Sequence, residues 1–293
     1  MRLTKYIICV LLSCVLTVSF VGCGDGSPAL TLPDDILAEP GGTSRPEGAD
    51  TPAGTETDGV REPEYDYVID ISGYLQYIAP DNGEPFAVLV NKENEVGRDF
   101  APESTVTLDS SLTLYGKDIS LETYTAKALE ALLAEMKACG YKNVYVTSGY
   151  RSFDYQSVLY NTYFSEEKAK HPTWSDEQIK AEVLTYSAYP GTSEHQTGLC
   201  LDLFISPGMT ELVNYGNETQ NASDIGFAES EEYQWLLKNA HKFGFILRFG
   251  KDKESLTGYS YESWHYRFVG REVATYIYEH GLCYEEYLNQ RGN

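Results

Sequence analysis

One short apolar segment of this chain carries a carboxylate at its centre. Residues 199–205 are Leu-Cys-Leu-Asp-Leu-Phe-Ile and lie between Gly198 and Pro207, a pattern that predicts a buried strand. An ionised carboxylate is costly to bury unless it is paired or binds a metal. The fold must therefore bring a partner to Asp202, and this requirement constrains how the rest of the chain packs.

Two histidines are the candidate partners of Asp202. His195 lies seven residues earlier, on a predicted turn, and His265 lies on a second predicted strand over residues 264–269. Two imidazoles and one carboxylate suit a catalytic zinc, which keeps its fourth position open. Glu262 precedes His265 by three residues and is expected to be its neighbour across a bend, where it is placed to act as the general base.

The metal prediction depends on the combination of these residues, because either pair alone occurs by chance in many proteins. The chain has five histidines, and the other three, His171, His241 and His280, are predicted to be structural. Cys200 lies two residues from Asp202 on the same predicted strand face. A thiolate ligand is therefore an alternative, although the two histidines and the aspartate already complete a three-ligand set.

A cationic side chain is predicted near the same site. Residues 144–147, Val-Tyr-Val-Thr, predict a strand that leads into residues 148–152. Arg151 would lie just past the end of this strand, where a side chain can point into a cleft. Its guanidinium is always charged and forks onto carboxylate oxygens. A surface salt bridge is the alternative role for this arginine.

Several motifs in the same order resemble one family. They are Ser-Gly-Tyr-Arg-Ser at 148–152, Pro-Gly-Thr-Ser-Glu-His-Gln-Thr-Gly at 190–198, Asp202, Thr-Gly-Tyr at 257–259 and Glu-Ser-Trp-His-Tyr-Arg at 262–267. The series closely resembles the VanY-like zinc D-alanyl-D-alanine carboxypeptidases, which are LAS-type peptidoglycan peptidases. The likeness extends from residue 89 to residue 270. The chain departs from the family at Ser263, where proline is usual, and at Cys200, where a small residue such as alanine is usual.

The resemblance implies a role for each candidate site residue. It implies a Zn²⁺ ligand set and a catalytic base, which are His195, Asp202, His265 and Glu262. It also implies that Arg151 stabilises the substrate or the developing oxyanion. Ser193 and Gln156 match residues that hydrogen-bond the substrate, and their plainer alternatives are a turn serine and an exposed helical glutamine.

The expected function is that of a zinc-dependent D-alanyl-D-alanine carboxypeptidase, which removes the terminal D-alanine from peptidoglycan stem peptides. An L,D-carboxypeptidase acting on tetrapeptide stems and an endopeptidase remain alternatives, since related sequences share this metal set. A non-catalytic wall-binding lipoprotein is an alternative of a different class. Glu262 argues against it, because a pure binder needs no base beside its metal.

The N-terminus predicts export and lipid attachment. Residues 6–20 are mostly apolar and follow a short basic stretch, and this run is too short to cross a membrane comfortably. Gly22 and Cys23 resemble a bacterial lipobox in which Cys23 is lipidated, whereas an ordinary cleaved signal is the alternative. Residues 24–65 are acidic and rich in Pro, Gly and Thr, which predicts a disordered tether. We expect an extracytoplasmic, membrane-anchored lipoprotein.

Residues 66–293 are predicted to form one carboxypeptidase domain. The formal net charge of −22 argues against nucleic acid as a partner and against direct binding to an anionic membrane surface. Membrane attachment is therefore expected through the lipid alone, and the domain is expected to be a monomer. Three cysteines follow the lipobox, Cys139, Cys200 and Cys283, so at most one disulfide can form among them.

Hydrophobic periodicity predicts an α+β domain. Helices are predicted over 121–137, 153–169, 175–186, 231–243 and 271–280, and strands over 144–147, 199–205, 245–249 and 264–269. Helices come early and strands gather around the metal motifs, which predicts a small, mostly antiparallel sheet that carries the zinc site and is flanked by helices. The resemblance implies that this arrangement is hedgehog/D,D-peptidase-like.

Overall fold

A computed structural model describes residues 65–81, 83–206 and 226–292. The signal segment and nearly all of the tether lie outside these residues, so the predictions made for them stay predictions. None of the helices in the described ranges is long and apolar enough to cross a membrane.

The centre of the described structure is an antiparallel sheet of four strands. In chain order the strands are β1 Thr105–Thr107, β2 Ser120–Glu122, β3 Val144–Ser148, β4 Cys200–Ile205, β5 Phe245–Phe249 and β6 Glu262–Phe268. The four-stranded sheet has the order β3-β4-β6-β5, and β1 pairs with β2 in a separate two-stranded sheet. All of these pairings are antiparallel, which confirms the predicted sheet.

Two irregularities in strand register shape the central sheet. Val146 lies opposite Leu203, but Ser148 lies opposite Asp202, so β3 contains one more residue than β4 here. In the second irregularity, between β5 and β6, Leu247 lies opposite Tyr266 whereas Phe249 lies opposite Glu262. Strand β6 therefore contains two more residues than β5 over this stretch. Extra residues of this kind bend a strand and redirect its side chains.

The helices surround this sheet. They are α1 Leu75–Ile78, α2 Thr123–Ala138, α3 Phe153–Lys170, α4 Asp176–Tyr186, α5 Glu231–Asn239, α6 Glu254–Thr257, α7 Arg271–His280 and α8 Tyr284–Gln290. Short 3₁₀ turns cover Glu84–Phe86, Ser110–Leu112, Leu114–Gly116, Glu194–Thr197 and Ala240–Phe243. The observed mixture of helices and antiparallel strands confirms the α+β class.

Local sequence signals predicted most of the helix boundaries. The Ser175 hydroxyl accepts from Gln178 N while the Gln178 side chain accepts from Ser175 N, which makes a capping box at the start of the helix predicted from residue 175. The helix predicted from residue 121 begins instead at Thr123, because Leu121 pairs with Val106 in the small sheet. The helix predicted over 231–243 ends as a 3₁₀ turn, and α8 is a closing helix that periodicity did not predict.

The main hydrophobic core lies between α2 and the central sheet. Buried side chains of α2, such as Leu129, Leu132 and Met136, belong to the same cluster as Leu201 and Phe268. A smaller cluster joins α7 and α8 to Ile246 and Val269, and another joins α3 to α4. The inner strands β4 and β6 are thus fixed by packing, and they carry Asp202 and His265.

Candidate active site

The predicted metal ligands meet in the middle of the sheet. Asp202 on β4 lies directly opposite His265 on β6, and His265 Nδ1 is 3.1 Å from Asp202 Oδ1. His195 Nε2 is 3.4 Å from the other carboxylate oxygen, Asp202 Oδ2. The two imidazole rings stand edge to face at 5.0 Å between centroids. All three side chains are buried, so the structure brings together every predicted ligand.

The turn that carries His195 is fixed by glycines. The 3₁₀ turn Glu194–Thr197 ends at Gly198, whose φ is +68°, in the left-handed region that favours glycine. A Cβ at Gly149 would lie only 2.6 Å from Ser120 O, so this position also needs glycine. His195 Nδ1 donates to Gly149 O at 2.7 Å. His195 therefore carries its proton on Nδ1 and turns the lone pair of Nε2 toward Asp202.

This donor set fits zinc. Two imidazole nitrogens and one carboxylate converge, and three protein ligands of these types are typical of catalytic zinc sites. Burial alone would raise the pKa of Asp202, but His195 and His265 hold that pKa well below its usual value. The carboxylate is therefore ionised, as a metal ligand must be. A backbone carbonyl orients His195, as is common for zinc-binding histidines.

Glu262 lies beside the ligands, as predicted. Its Oε2 is 3.6 Å from His265 Nδ1. In a regular strand residues three apart point to opposite faces, and the two extra residues of β6 are what let both side chains reach the same site. Burial raises the pKa of Glu262 to about 7, and the Asp202 carboxylate adds to this rise. Glu262 can therefore both take up and release a proton near neutral pH.

A buried ionic network supports the site, and the sequence reasoning missed it. Glu194 Oε1 accepts from Arg248 Nε at 2.9 Å and from Arg267 Nη1 at 3.0 Å. Arg248 also donates to both carboxylate oxygens of Glu285 on α8. Burial alone would raise the pKa of Glu194, but the two guanidinium groups hold it well below its usual value. In the sequence, the one signal that could have identified Glu194 was its position next to the predicted ligand His195.

The second oxygen of Glu194 faces a metal ligand. Glu194 Oε2 is 3.6 Å from His265 Nε2, and neither atom has another hydrogen-bond partner among the described residues. An ionised carboxylate in this position favours the proton on Nε2. The lone pair of His265 then lies on Nδ1, which faces Asp202. Glu194 thus orients one metal ligand through its outer nitrogen, as carboxylates commonly do.

Arg151 points into the same site. Its Nε donates to Ser148 Oγ at 3.1 Å, its Nη1 to Gln156 Oε1 at 3.1 Å, and its Nη2 lies 3.5 Å from Asp202 Oδ2. Its backbone N–H donates to His195 O at 3.0 Å. Strand β3 and helix α3 therefore hold the guanidinium against the ligands, with one edge beside the metal site.

The two predicted substrate-binding residues occupy different surroundings. Ser193 is buried and lines the cleft above the ligands. Gln156 is only 1% exposed, and its amide is already bonded to Arg151 and to Ala188 O. Gln156 is absent from the residues that line the cleft, so its direct contact in this structure is with Arg151.

A cleft of about 180 Å³ opens over these groups. Its floor carries the charged residues already described. Its walls are largely aromatic and include Tyr163, Tyr186, Phe249, Tyr259 and Trp264. Ser187, Thr192 and Ser193 line it as well, so the cleft offers polar groups beside its aromatic faces, as ligand sites commonly do.

The three cysteines predicted to remain in the domain are all free thiols. Cys139 is exposed, whereas Cys200 and Cys283 are buried. Cys200 lies at the metal site: its Sγ and one ring nitrogen from each of His195 and His265 lie within 4.8 Å of one another. Burial alone would raise the pKa of Cys200, but the two neighbouring histidines lower it to about 7.

The chain is similar to known proteins over the region that forms this site. The sequence profile of the VanY family, described as D-alanyl-D-alanine carboxypeptidase, matches residues 118–271. A D-alanyl-D-alanine carboxypeptidase of Enterococcus faecalis is 37% identical over 211 residues, which are 71% of this chain and 68% of the relative.

Two solved structures extend the similarity to three dimensions. One is a vancomycin resistance D,D-pentapeptidase VanY variant in complex with Zn(II), with a TM-score of 0.55 and 34% identity, covering 70% of this chain and 99% of that one. The other is the LD-carboxypeptidase LdcB, with a TM-score of 0.57 and 32% identity, covering 71% of this chain and 88% of that one. Sequence motifs, site geometry and these likenesses agree, and the chain belongs to the VanY family of zinc D-alanyl-D-alanine carboxypeptidases.

Proposed function

We propose that this chain removes the terminal D-alanine from peptidoglycan stem peptides, with His195, Asp202 and His265 as zinc ligands and Glu262 as the general base. One observation carries the proposal: the three donor side chains and the Glu262 carboxylate share the floor of a single cleft. Such a combination suits hydrolysis of an amide bond by an activated water.

Hydrolysis of the amide bond needs a group that carries a proton from water to the leaving amine. A zinc ion held by His195, Asp202 and His265 would act as a Lewis acid that polarises a carbonyl and acidifies water. Glu262 accepts one proton from the attacking water, whose oxygen adds to the carbonyl carbon of the scissile bond. The C–N bond then breaks, and Glu262 returns its proton to the amine of the departing D-alanine. The added oxygen remains in the new terminal carboxyl group, and its second proton passes to the departing amine or to solvent as that group ionises.

Arg151 is proposed to bind negative charge on the substrate. Guanidinium groups pair well with carboxylates and developing oxyanions. Ser148 and Gln156 fix two edges of this guanidinium, so little ordering is needed when substrate binds. A free terminal carboxylate distinguishes a carboxypeptidase substrate from the interior of a peptide, and Arg151 supplies a positive charge at the cleft floor.

The experiment that tests the function compares three substrates with the purified protein. They are a pentapeptide stem ending in D-alanyl-D-alanine, a tetrapeptide stem whose last bond is L,D, and the pentapeptide with an amidated C-terminus. Products are identified by mass. We expect loss of one alanine from the free pentapeptide and no turnover of the amide, because the amide lacks the charge that Arg151 binds.

Two results would change the assignment. Preferential cleavage of the tetrapeptide would make the chain an L,D-carboxypeptidase, the alternative that its likeness to LdcB favours. Efficient cleavage of the amidated pentapeptide would indicate an endopeptidase. A Glu262→Gln protein serves as the inactive control in each reaction, because it retains the proposed ligands.

We also propose that the enzyme works outside the cytoplasm, attached to a membrane by a lipid on Cys23. The basic and apolar start of the chain, followed by Gly22 and Cys23, supports this proposal. Cys23→Ala should release the protein from washed membranes, whereas Cys139→Ala should not. Continued membrane attachment of the Cys23→Ala protein would rule out the lipid anchor.

A further inference from the structure

Helix α8 lies outside the part of the chain that matches the family profile, yet it contacts the ionic network behind the metal site. The profile ends at residue 271, whereas α8 begins at Tyr284. The carboxylate of Glu285 on α8 accepts from Arg248 twice, Oε1 from Nη2 at 2.5 Å and Oε2 from Nη1 at 2.8 Å. The Tyr284 ring faces Arg248 and Arg267, whose Cζ atoms lie 5.6 and 5.4 Å from the ring centroid. One short helix therefore supplies a charge and an aromatic face to the arginines that hold Glu194.

The N–H donors of Arg248 are divided between two carboxylates. Its Nε donates to Glu194 Oε1 at 2.9 Å, while both terminal nitrogens donate to Glu285. This division leaves Glu194 Oε2 without a hydrogen-bond partner among the described residues, and that oxygen faces His265 Nε2 at 3.6 Å. Arg267 is committed elsewhere, because its Nη1 donates to Glu194 Oε1 and its other nitrogens donate to the backbone carbonyls of residues 86, 88 and 268.

We propose that Glu285 is a positioning residue for the metal site, which keeps Glu194 Oε2 available to His265 by occupying both terminal nitrogens of Arg248. Arginine binds a carboxylate most strongly through two parallel hydrogen bonds. Arg248 Nε already contacts Glu194 Oε1, so a terminal nitrogen released by Glu285 would complete a two-bond contact by taking Oε2. His265 would then lose the partner of its outer nitrogen. The inference rests on the proposed function, because it concerns the orientation of a proposed zinc ligand.

Burial makes the terminal nitrogens of Arg248 depend on Glu285. The Arg248 side chain is fully buried and that of Glu285 is only 11% exposed, and a buried N–H without an acceptor is costly. Asn91, whose Nδ2 lies 3.5 Å from Glu285 Oε1, offers no substitute acceptor, because its Oδ1 already accepts from the backbone N–H groups of residues 93 and 94. A released nitrogen would therefore turn to the carboxylate that Arg248 already contacts, which is that of Glu194.

The proteins to compare are wild type, Glu285→Gln, Glu286→Gln and the double variant Arg248→Met/Glu285→Gln. In Glu285→Gln the amide offers Arg248 one acceptor atom in place of two, so one terminal nitrogen is released. Glu286→Gln is the matched control on the same helix. The Glu286 carboxylate pairs with Lys253, and glutamine can keep its place in the capping box of α8.

Zinc dissociation constants are measured by competition with a chelator, and folding is checked by the urea midpoint. We expect Glu285→Gln to bind zinc about tenfold more weakly than Glu286→Gln, at the lower end of the effect of losing a partner that orients a ligand. The double variant should recover most of that affinity, since methionine removes the competing nitrogens while Arg267 still holds Glu194. A role in stability alone predicts the opposite, because the second substitution would add to the damage.

A crystal structure of metal-free Glu285→Gln provides a readout that requires neither zinc nor activity. Glu194 should then contact Arg248 through both oxygens, with Oε2 farther than 3.6 Å from His265 Nε2. Should Glu285→Gln fail to fold, Glu285→Asp takes its place in every comparison, since it keeps the charge but withdraws the carboxylate by one CH₂ group.

Three results would each overturn the inference. They are an unrotated Glu194 carboxylate in that crystal structure, zinc binding by Glu285→Gln within twofold of Glu286→Gln, and a double variant that binds zinc no better than Glu285→Gln. A wild-type protein that binds no zinc would instead overturn the metal site and the proposed function, whereas the crystal structure would still decide whether Glu285 controls the Glu194 carboxylate.

Discussion

Replacement of Glu194 by glutamine tests how the ionic network controls the metal site. Glu194 Oε1 is held by Arg248 and Arg267, while Oε2 faces His265 Nε2 at 3.6 Å. In Glu194→Gln the amide oxygen would stay with the arginines, so the amide NH₂ would face His265. Two donors cannot face each other, and the imidazole would place its proton on Nδ1. That proton blocks the nitrogen expected to bind zinc.

The magnitude follows from two effects. Loss of a residue that orients a ligand typically weakens metal binding about 10- to 100-fold, or about 1.4–2.8 kcal/mol. The loss of charge also leaves Arg248 and Arg267 with Glu285 as the remaining carboxylate of the network. Breaking a buried ion pair costs about 3–5 kcal/mol, and glutamine should reduce this cost because it retains an acceptor for the arginines.

The assay measures the zinc dissociation constant by competition with a chromogenic chelator, together with the free energy of unfolding in urea. Glu135→Gln is the matched control, because Glu135 and Glu194 are both 4% exposed and the Glu135 carboxylate accepts from the Val68 and Ile69 amides rather than from a group of the metal site. Both variants should lose stability, but only Glu194→Gln should lose zinc affinity. Activity of Glu194→Gln should recover in excess zinc.

One result would refute this reasoning. If Glu194→Gln is folded and binds zinc within twofold of the Glu135→Gln protein, the carboxylate does not set the tautomer of His265. Its role would then be confined to neutralising the two buried arginines.

Three further predictions concern the same site. Glu262→Gln should bind zinc normally but lose about 10²- to 10⁴-fold in kcat/KM, and activity within a few-fold of wild type would place the base elsewhere. Arg151→Ala should lose about 30- to 1000-fold in kcat/KM, or about 2–4 kcal/mol. Arg98→Ala, which removes an exposed salt bridge, should lose little activity. Equal losses in the two variants would contradict the proposal that Arg151 binds the substrate in the cleft. Removal of zinc by a chelator should lower the melting temperature, because free zinc at 100 times its dissociation constant stabilises the fold by about 2.7 kcal/mol. An unchanged melting temperature would contradict zinc binding to the folded protein.

Local patterns in the sequence were sufficient for most secondary structure. The helix predicted over 153–169 is observed as Phe153–Lys170, and the strand predicted over 245–249 is observed at the same residues. Caps, apolar periodicity and glycine breaks act within a few residues, so they can be read along the chain. Helix α8 was not predicted because its seven residues, Tyr-Glu-Glu-Tyr-Leu-Asn-Gln, are too few to show a clear hydrophobic period.

The candidate ligands could also be predicted from the sequence. A carboxylate inside an apolar strand demands a partner, and the chain offers few histidines. The structure places His195, Asp202, His265 and Glu262 together, as expected. Their convergence still depends on the pairing of Asp202 with His265 and on the two extra residues in β6. Strand register arises from long-range pairing, and no local pattern specified it.

The sequence by itself determined which donor types this protein can offer to a metal and where its regular elements lie. The tertiary structure alone decided what surrounds those donors. Glu194 accepts hydrogen bonds from arginines that are 54 and 73 residues away in the chain. The Gln156 amide is hydrogen-bonded to Arg151 and Ala188. Cys200 Sγ lies within 4.8 Å of a ring nitrogen of both His195 and His265. The sequence states the type of each residue, but packing between distant segments determines which groups a buried polar side chain contacts. These contacts are energetically important because water cannot replace a lost partner in a buried site.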